Sequence, residues 1–257
     1  MAHAYEYIPG RFGYTLERTG EVAVAGRVPC EASLVDEEGH LRTAAMLMAV
    51  DMTCGMAAGL AVLPKWTVTA DADVHFVAPC GRGPLRVDAV NVRAGRTMSV
   101  VEATVVDEGA NDRLVAVVTA NHGVLDSSFD HWLAQAEIGD VQTFARPPTS
   151  DASLEQYFRL GRDDHEIVSL ALDERTTNPW GILHGGLHGL LVDTAAASVG
   201  IATPTHVGLR FLNSVKEGPA VARVTDVVDR TSDRIARVEV RDAASGRLAV
   251  IGRVTGR

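Results

Sequence analysis

Ala45–Ala61 (AMLMAVDMTCGMAAGLA) and Leu187–Thr203 (LHGLLVDTAAASVGIAT) read as two versions of one segment. Each is apolar almost throughout, rich in Ala and Gly, and interrupted by a single acid, Asp51 or Asp193, 142 positions apart. A helix that is apolar nearly all round has to be wrapped, by lipid or by protein. The stretch from Ala44 to Leu63 approaches the length of a membrane span. It also contains Asp51 and Thr53, and a carboxylate near the bilayer centre costs about 2.5–3.5 kcal/mol on insertion scales. A core helix covered by protein is therefore expected, and no membrane span.

The flanks repeat as well. After the first helix come Trp66–Pro79, Pro84–Asp107, a turn with Gly109, Asn111 and Asp112, and Leu114–Leu125. After the second come Thr205–Leu212, Ala220–Val228, Arg234–Asp242, a turn with Ser245 and Gly246, and Leu248–Thr255. Ala236, Val238 and Val240 alternate with Arg237, Glu239 and Arg241, the period of a strand with one wet face. A strand-like segment also precedes each helix, Glu21–Leu34 and Glu166–Asp173. The pattern of helix, then strand, strand, strand is thus written twice. Between the halves, Asp126–Ser150 holds one short helix at Trp132–Ala136 and the punctuating Pro147-Pro148-Thr149-Ser150. The expected fold class is α+β in two units, 1–145 and 146–257, each a long helix against a mainly antiparallel sheet.

Composition narrows the function. The 257 residues are 46% hydrophobic, enough for a sizeable core, and only 5% aromatic. A net charge of −9 argues against nucleic acid or an anionic membrane as partner. Cys30, Cys54 and Cys80 have no disulfide or metal spacing, and the first twenty residues hold no signal-peptide core, so a cytoplasmic protein with reduced thiols is expected.

Asn178-Pro-Trp-Gly-Ile-Leu-His184-Gly185-Gly186 stands immediately before the second helix. Paired glycines inside a helix cost roughly 1 kcal/mol each against Ala. At its mouth they let a ligand approach the unpaired N–H groups of the first turn, at the positive end of the helix dipole, where an oxyanion is stabilised. Asp193 lies eight residues beyond Gly185, roughly 12 Å along the helix at 1.5 Å per residue. An acid and an oxyanion donor on this one helix cannot share a small reacting centre.

Asn-x5-His-Gly-Gly-x7-Asp on the lip of a long helix resembles the hotdog-fold acyl-CoA thioesterases, in particular the phenylacetate-degradation type branch. The likeness covers the second half with the motif complete at Asn178, His184, Gly185, Gly186 and Asp193. In the first half only the acid, Asp51, is kept; Asp36, Arg42, Thr43 and Ala44 stand where Asn178, His184, Gly185 and Gly186 would be. The resemblance implies a tandem (double) hotdog, with two long central helices wrapped by a mainly antiparallel sheet, and composite sites that take the acid from one unit and the glycine mouth from the other. One complete site then joins Asp51 to Asn178, His184 and Gly185, with Gly186 and Thr69 as substrate-binding residues. Asp193 belongs to a second site that lacks the glycines. Asp51 acts as general base or as nucleophile, Asn178 orients water or the acyl group, and His184 shapes the loop. The implied reaction is acyl-CoA hydrolysis within fatty acid metabolism, with no cofactor because coenzyme A is part of the substrate. The chain would be a pseudo-dimer in itself, open to a further homo-oligomer.

Plainer readings stand beside these. Asp51 could be a structural acid paired with Arg42 or Arg96. His184 and His188 have the i, i+4 spacing of a zinc helix but no Glu between them and no third ligand, so no metal is expected. Cys54 has no readable His partner. Other functions compatible with the fold are a non-catalytic acyl-CoA-binding module and an acyl-CoA hydratase or dehydratase. The low aromatic content argues for an aliphatic acyl chain. Arg82, Arg93, Arg96, Arg210 and Lys216 are the cations available to coenzyme A phosphates.

Overall fold

In the computed structural model, which describes residues 7–128, 132–163 and 167–257, the two apolar segments form α2 (Thr43–Leu60) and α4 (Gly185–Ser198). By length and composition α2 could cross a membrane, yet 83% of it is buried inside the protein. The cover comes from a single sheet and from the other helix.

In the first half, β1 (Thr15–Arg18) and β2 (Ala23–Val28) precede α2, and β3 (Lys65–Phe76), β4 (Leu85–Ala94), β5 (Met98–Asp107) and β6 (Arg113–Ser128) follow it. A short β7 (Val141–Thr143) closes one edge against β1. In the second half, β8 (Gly161–Arg162) and β9 (Val168–Leu170) precede α4, and β10 (Pro204–Phe211), β11 (Ala220–Asp229), β12 (Arg234–Asp242) and β13 (Leu248–Gly256) follow. The strands form one antiparallel sheet in the order β7-β1-β2-β4-β5-β6-β3-β10-β13-β12-β11-β9-β8. Reading outward from the β3–β10 seam, the order is the same in both directions as far as β1 and β8, and β7 adds one edge strand to the first half. The Asp73–Gly208 pair sits at the pseudo-twofold axis.

Loops repeat with the strands. The isolated bridges Val35–Leu41 and Thr177–Leu183 are related by the same 142-residue shift as the two acids. Asp107 accepts hydrogen bonds from the backbone N–H groups of Gly81, Arg82 and Gly83; Asp242 does the same for Lys216, Glu217 and Gly218. Satisfying three buried donors with one carboxylate fixes the loop that leads back into each sheet.

The helices lie side by side and antiparallel. A Cβ on Gly185 would meet the Asp51 carboxylate, on Gly186 it would meet Met48, and on Gly189 it would meet Leu47, each at under 3 Å. Glycines also seat the helices on the sheet, with Gly252 of β13 beneath Val192 and Gly26 of β2 beneath Thr53.

Several expectations need correction. Pro84–Asp107 is two strands, because Gly95-Arg96-Thr97 turns the chain and Gly95 N–H donates to Met98 O at 2.8 Å. Each helix is therefore followed by four strands, not three. The helix expected at Trp132–Ala136 is a 3₁₀ turn over Trp132–Ala134. The strand expected from Glu166 spans Val168–Leu170, and Glu166 itself lies outside the described residues, as do the first six. Cys30 and Cys80 are remote in sequence but have their sulfurs 3.7 Å apart as free thiols. Two short helices were unforeseen, α1 (Tyr7–Arg11) and α3 (Leu154–Phe158). They pack together through Phe12 and Phe158, while Arg11 donates to Ala152 O and lies over the Tyr157 ring.

The glycines should separate in stability assays. A Cβ on Gly252 would lie 2.6 Å from Val192, so Gly252→Ala is expected to destabilise by about 1–3 kcal/mol. Gly55, inside α2, has nothing within 4 Å, and Gly55→Ala should stabilise by about 0.5–1 kcal/mol. Urea midpoints of the two variants against the parent protein check both signs.

Candidate functional site

Asp51 projects from the middle of α2 and Gly185 opens α4, so the antiparallel packing brings a carboxylate from the first half to a helix mouth in the second. Both Asp51 oxygens lie 2.7 Å from where a Gly185 Cβ would be. Any side chain there would push the acid away. Thr69, on β3, donates from Oγ1 to Asp51 Oδ1 at 2.9 Å. The Gly185 N–H makes no hydrogen bond among the described residues.

His184 occupies the N-cap of α4, and its Nδ1 accepts the Gly186 N–H at 3.1 Å. Nδ1 also lies 3.6 Å from Asp51 Oδ2. Because its lone pair is taken by the amide, Nδ1 carries no proton, and the contact is not an ion pair. Burial lowers the His184 pKa, against which Asp51 acts in the opposite sense, so the ring is neutral near pH 7. His188, one turn on, has Nδ1 3.3 Å from the His184 carbonyl. Both Nδ1 atoms are thus committed to backbone.

Asn178 lines the same cavity, but its Oδ1 accepts from Trp180 N–H at 3.0 Å and Ile182 N–H at 3.3 Å. Asp36 makes the same turn with Glu38 and His40 at 3.0 and 2.8 Å. The oxygen at this position shapes the loop, which leaves the Asn178 Nδ2 group for anything in the cavity. Asp51 pairs with neither Arg42 nor Arg96 among the described contacts. Cys54 is buried, and desolvation with Asp51 nearby pushes its thiol up, so it remains protonated.

The cavity holds about 250 Å³ and runs between the helices and β3, from Asp51, Thr69 and Gly185 past Asn178 to Ser214. Trp66, Trp180 and Phe211 contribute to its wall, with the two indoles 6.1 Å apart. Low overall aromatic content thus coexists with three aromatic side chains on this one wall. His122, unforeseen, is buried in the wall on β6, opposite Thr69 in the strand ladder. A histidine beside Asn121 in an otherwise apolar strand was its sequence signal. Gly186 packs on Met48 beneath the mouth.

Residues 43–123, from the start of α2 into β6, match the acyl-CoA thioesterase N-terminal domain family. The Pasteurella multocida protein PM0788, provisionally named an esterase, is 28% identical over 96 residues, which cover 34% of this chain and 68% of that one. Several solved structures match almost the whole chain. The tesB protein of Mycobacterium avium subsp. paratuberculosis is 16% identical, covers 93% of this chain and 94% of its own, and superposes with a TM-score of 0.63. The 12:0-ACP thioesterase of Umbellularia californica is 10% identical, covers 92% and 94%, and scores 0.61. At such identities the structures speak for the fold, and the matched segment speaks for the chemistry. The fold defined in this way is the hotdog fold of these thioesterases. This chain has their fold in the fused, double-hotdog form, and the thioesterase family match lies in its first half.

The mirror position, around Asp193, is built differently. Arg42 at the start of α2 has no acceptor to offer the first turn, and the Ala44 amide favours the charged form of Asp193. Arg42 instead forms a two-point pair with Glu155 of α3. Where the first site has Thr69 opposite His122, the strand pair in the second has Pro204 opposite Gly256.

Desolvation pushes the Asp193 carboxyl up to about 6, despite Arg42 and the Ala44 amide favouring the charged form. A raised acid pKa means that the folded state holds its proton longer than the unfolded chain. Stability should therefore fall as pH rises from about 4 to about 6, by on the order of 2 kcal/mol. Asp193→Asn should remove that slope, as read from urea midpoints across the pH range; an unchanged slope would contradict the assignment.

Proposed function

We propose that this protein hydrolyses an acyl-CoA thioester at one composite site, with Asp51 from the first unit and the Gly185 mouth from the second. The carrying observation is the contact of the Asp51 carboxylate with Gly185, whose N–H has no partner among the described residues. The thioester carbonyl oxygen accepts the Gly185 N–H, where the α4 dipole favours developing negative charge; one such donor is worth about 2.7–4 kcal/mol in acyl transfer. Thr69 holds Oδ1 of Asp51. The other oxygen takes a proton from water as the water oxygen bonds to the carbonyl carbon. When the C–S bond breaks, the thiolate leaves with that proton, giving the acid and the free thiol. This assigns Asp51 as general base, with Asn178 offering Nδ2 to the water or acyl group and His184 as a positioning residue.

Coenzyme A as the thiol carrier is supported by the description of the matching family. Arg82, Arg93, Arg96 and Lys216 are exposed and outside the cavity wall, and Arg210 is paired with Asp73 at 2.7 Å. Phosphates would be met outside the acyl cavity. Three free cysteines fit a cytoplasmic setting, and the division into units near residue 145 follows the repeat. Against a hydratase, His184 is a neutral N-cap with Nδ1 occupied. The mirror site supports a single working centre, since the Ala44 amide favours the charged form of its acid and its mouth is faced by Arg42 and Glu155.

Thiol release from a panel of acyl-CoAs tests this. Asp51→Asn should lower kcat about 10²–10⁴-fold with little change in KM, the range for loss of a general base. Gly185→Ala should also be severely impaired, whereas Asp193→Asn should retain turnover. Activity that survives Asp51→Asn and vanishes with Asp193→Asn would move the site to the other helix mouth; no cleavage of any acyl-CoA by the parent protein would favour a binding module.

A further inference from the structure

The cavity contains more unpaired polarity than hydrolysis requires. Thr67 Oγ1, both ring nitrogens of His122 and Nε2 of His188 are buried with no hydrogen-bond partner among the described residues, and all three side chains belong to the cavity wall. Only three other buried side-chain atoms share that state among the described residues: Arg11 Nε, Thr194 Oγ1 and Asp233 Oδ1. Buried polar atoms are paired as a rule. Four unpaired ones around one cavity mark a place where a ligand supplies the partners.

Their chemistry can be read from their other contacts. The His188 Nδ1 faces the His184 carbonyl and so carries the ring proton, which makes Nε2 an acceptor. The ring is packed edge-on against Phe211, with centroids 5.4 Å apart. His122 is held well below the usual histidine range, at about 4, by burial; Asp51 and Asp71 act in the opposite sense and do not prevail. It is therefore neutral at pH 7 and offers one donor and one acceptor. The Thr67 hydroxyl can play either part. Met52, Met56, Trp66 and Phe211 supply apolar wall around them.

Building on the hydrolysis reading above, we propose that the acyl group of the substrate carries a hydroxyl, bound by His122, His188 and Thr67. A hydrocarbon chain would pair none of these atoms. A keto or carboxylate oxygen could accept from His122 but has no proton for His188 Nε2. A hydroxyl does both. His122, His188 and Thr67 thereby become specificity residues, separate from the Asp51 and Gly185 chemistry.

Chain-matched pairs test the idea: butyryl-CoA against its 2-, 3- and 4-hydroxy forms, and hexanoyl-CoA against the same series. At least one hydroxyacyl thioester should exceed its parent by roughly tenfold or more in kcat/KM, the scale of a buried polar group gaining its partner. Thr67→Val, which keeps the side-chain shape, and His122→Leu should each draw that ratio toward one. Equal or better use of the plain chains throughout would overturn the proposal, as would a preference that persists in both variants. The same ratio is to be read as Kd by calorimetry with the Asp51→Asn protein. If no thioester is cleaved, the hydrolysis reading fails by itself, and the calorimetric ratio still decides for or against hydroxyl recognition.

Discussion

The structure depends on the close approach of two helices that have no polar face to show to water. Both α2 and α4 are apolar on every side, so each needs a sheet beneath it and a neighbour beside it. Gly185, Gly186 and Gly189 allow the neighbour to come within side-chain length of Met48 and Leu47. The same glycines bring the sole acid of α2 to the first turn of α4. Burial of the core and assembly of the site are consequently one contact, and neither unit would present its helix this way without the other.

What that contact does is decided by the residue at the helix N-cap. The first-turn amides of a helix seek acceptors, and the nearest candidate here is the acid on the opposing helix. At α4, the imidazole of His184 takes the Gly186 N–H and leaves the second oxygen of Asp51 unclaimed by that amide. At α2, Arg42 is a cation with no lone pair to give, and the Ala44 N–H favours the charged form of Asp193. The two acids thus meet differently occupied first turns. The histidine thus acts by occupying a donor, which a neutral ring does and a protonated one would not.

The helices were legible because length and composition alone distinguish a helix wrapped in protein, and the 142-residue echo paired Asp51 with Asp193 before any coordinates. The meeting of Asp51 with Gly185 was legible only through the resemblance, since Gly185 to Asp193 is too long a distance for one site and spacing does not say which helix faces which. His122 was not read at all. Its proximity to Asp51 follows from the register of β6 on β3, and register is set by many side chains at once. Likewise, the Arg42–Glu155 pair spans 113 positions and joins a helix mouth to a helix of five residues, too short to show a period. The aromatic wall was not legible either, because composition averages over the chain, while the fold brings Trp66, Trp180 and Phe211 to one cavity.

Fusion explains why such asymmetry is affordable. In a symmetric pair of identical units, a substitution at the helix mouth alters two sites together, so an Arg in place of the N-cap histidine would remove both. Within one chain the two mouths are separate positions. Arg42 can then serve as an anchor for α3, whose Glu155 is held well down, to about 2, chiefly by that guanidinium. The segment that joins the units is thereby docked at the α2 mouth. Pro204 opposite Gly256 differs from Thr69 opposite His122 in the same way, with no polar side chain in the pair. The Asp51 side carries the polar groups absent from the Asp193 side: Thr69 opposite His122, and the imidazole at the cap.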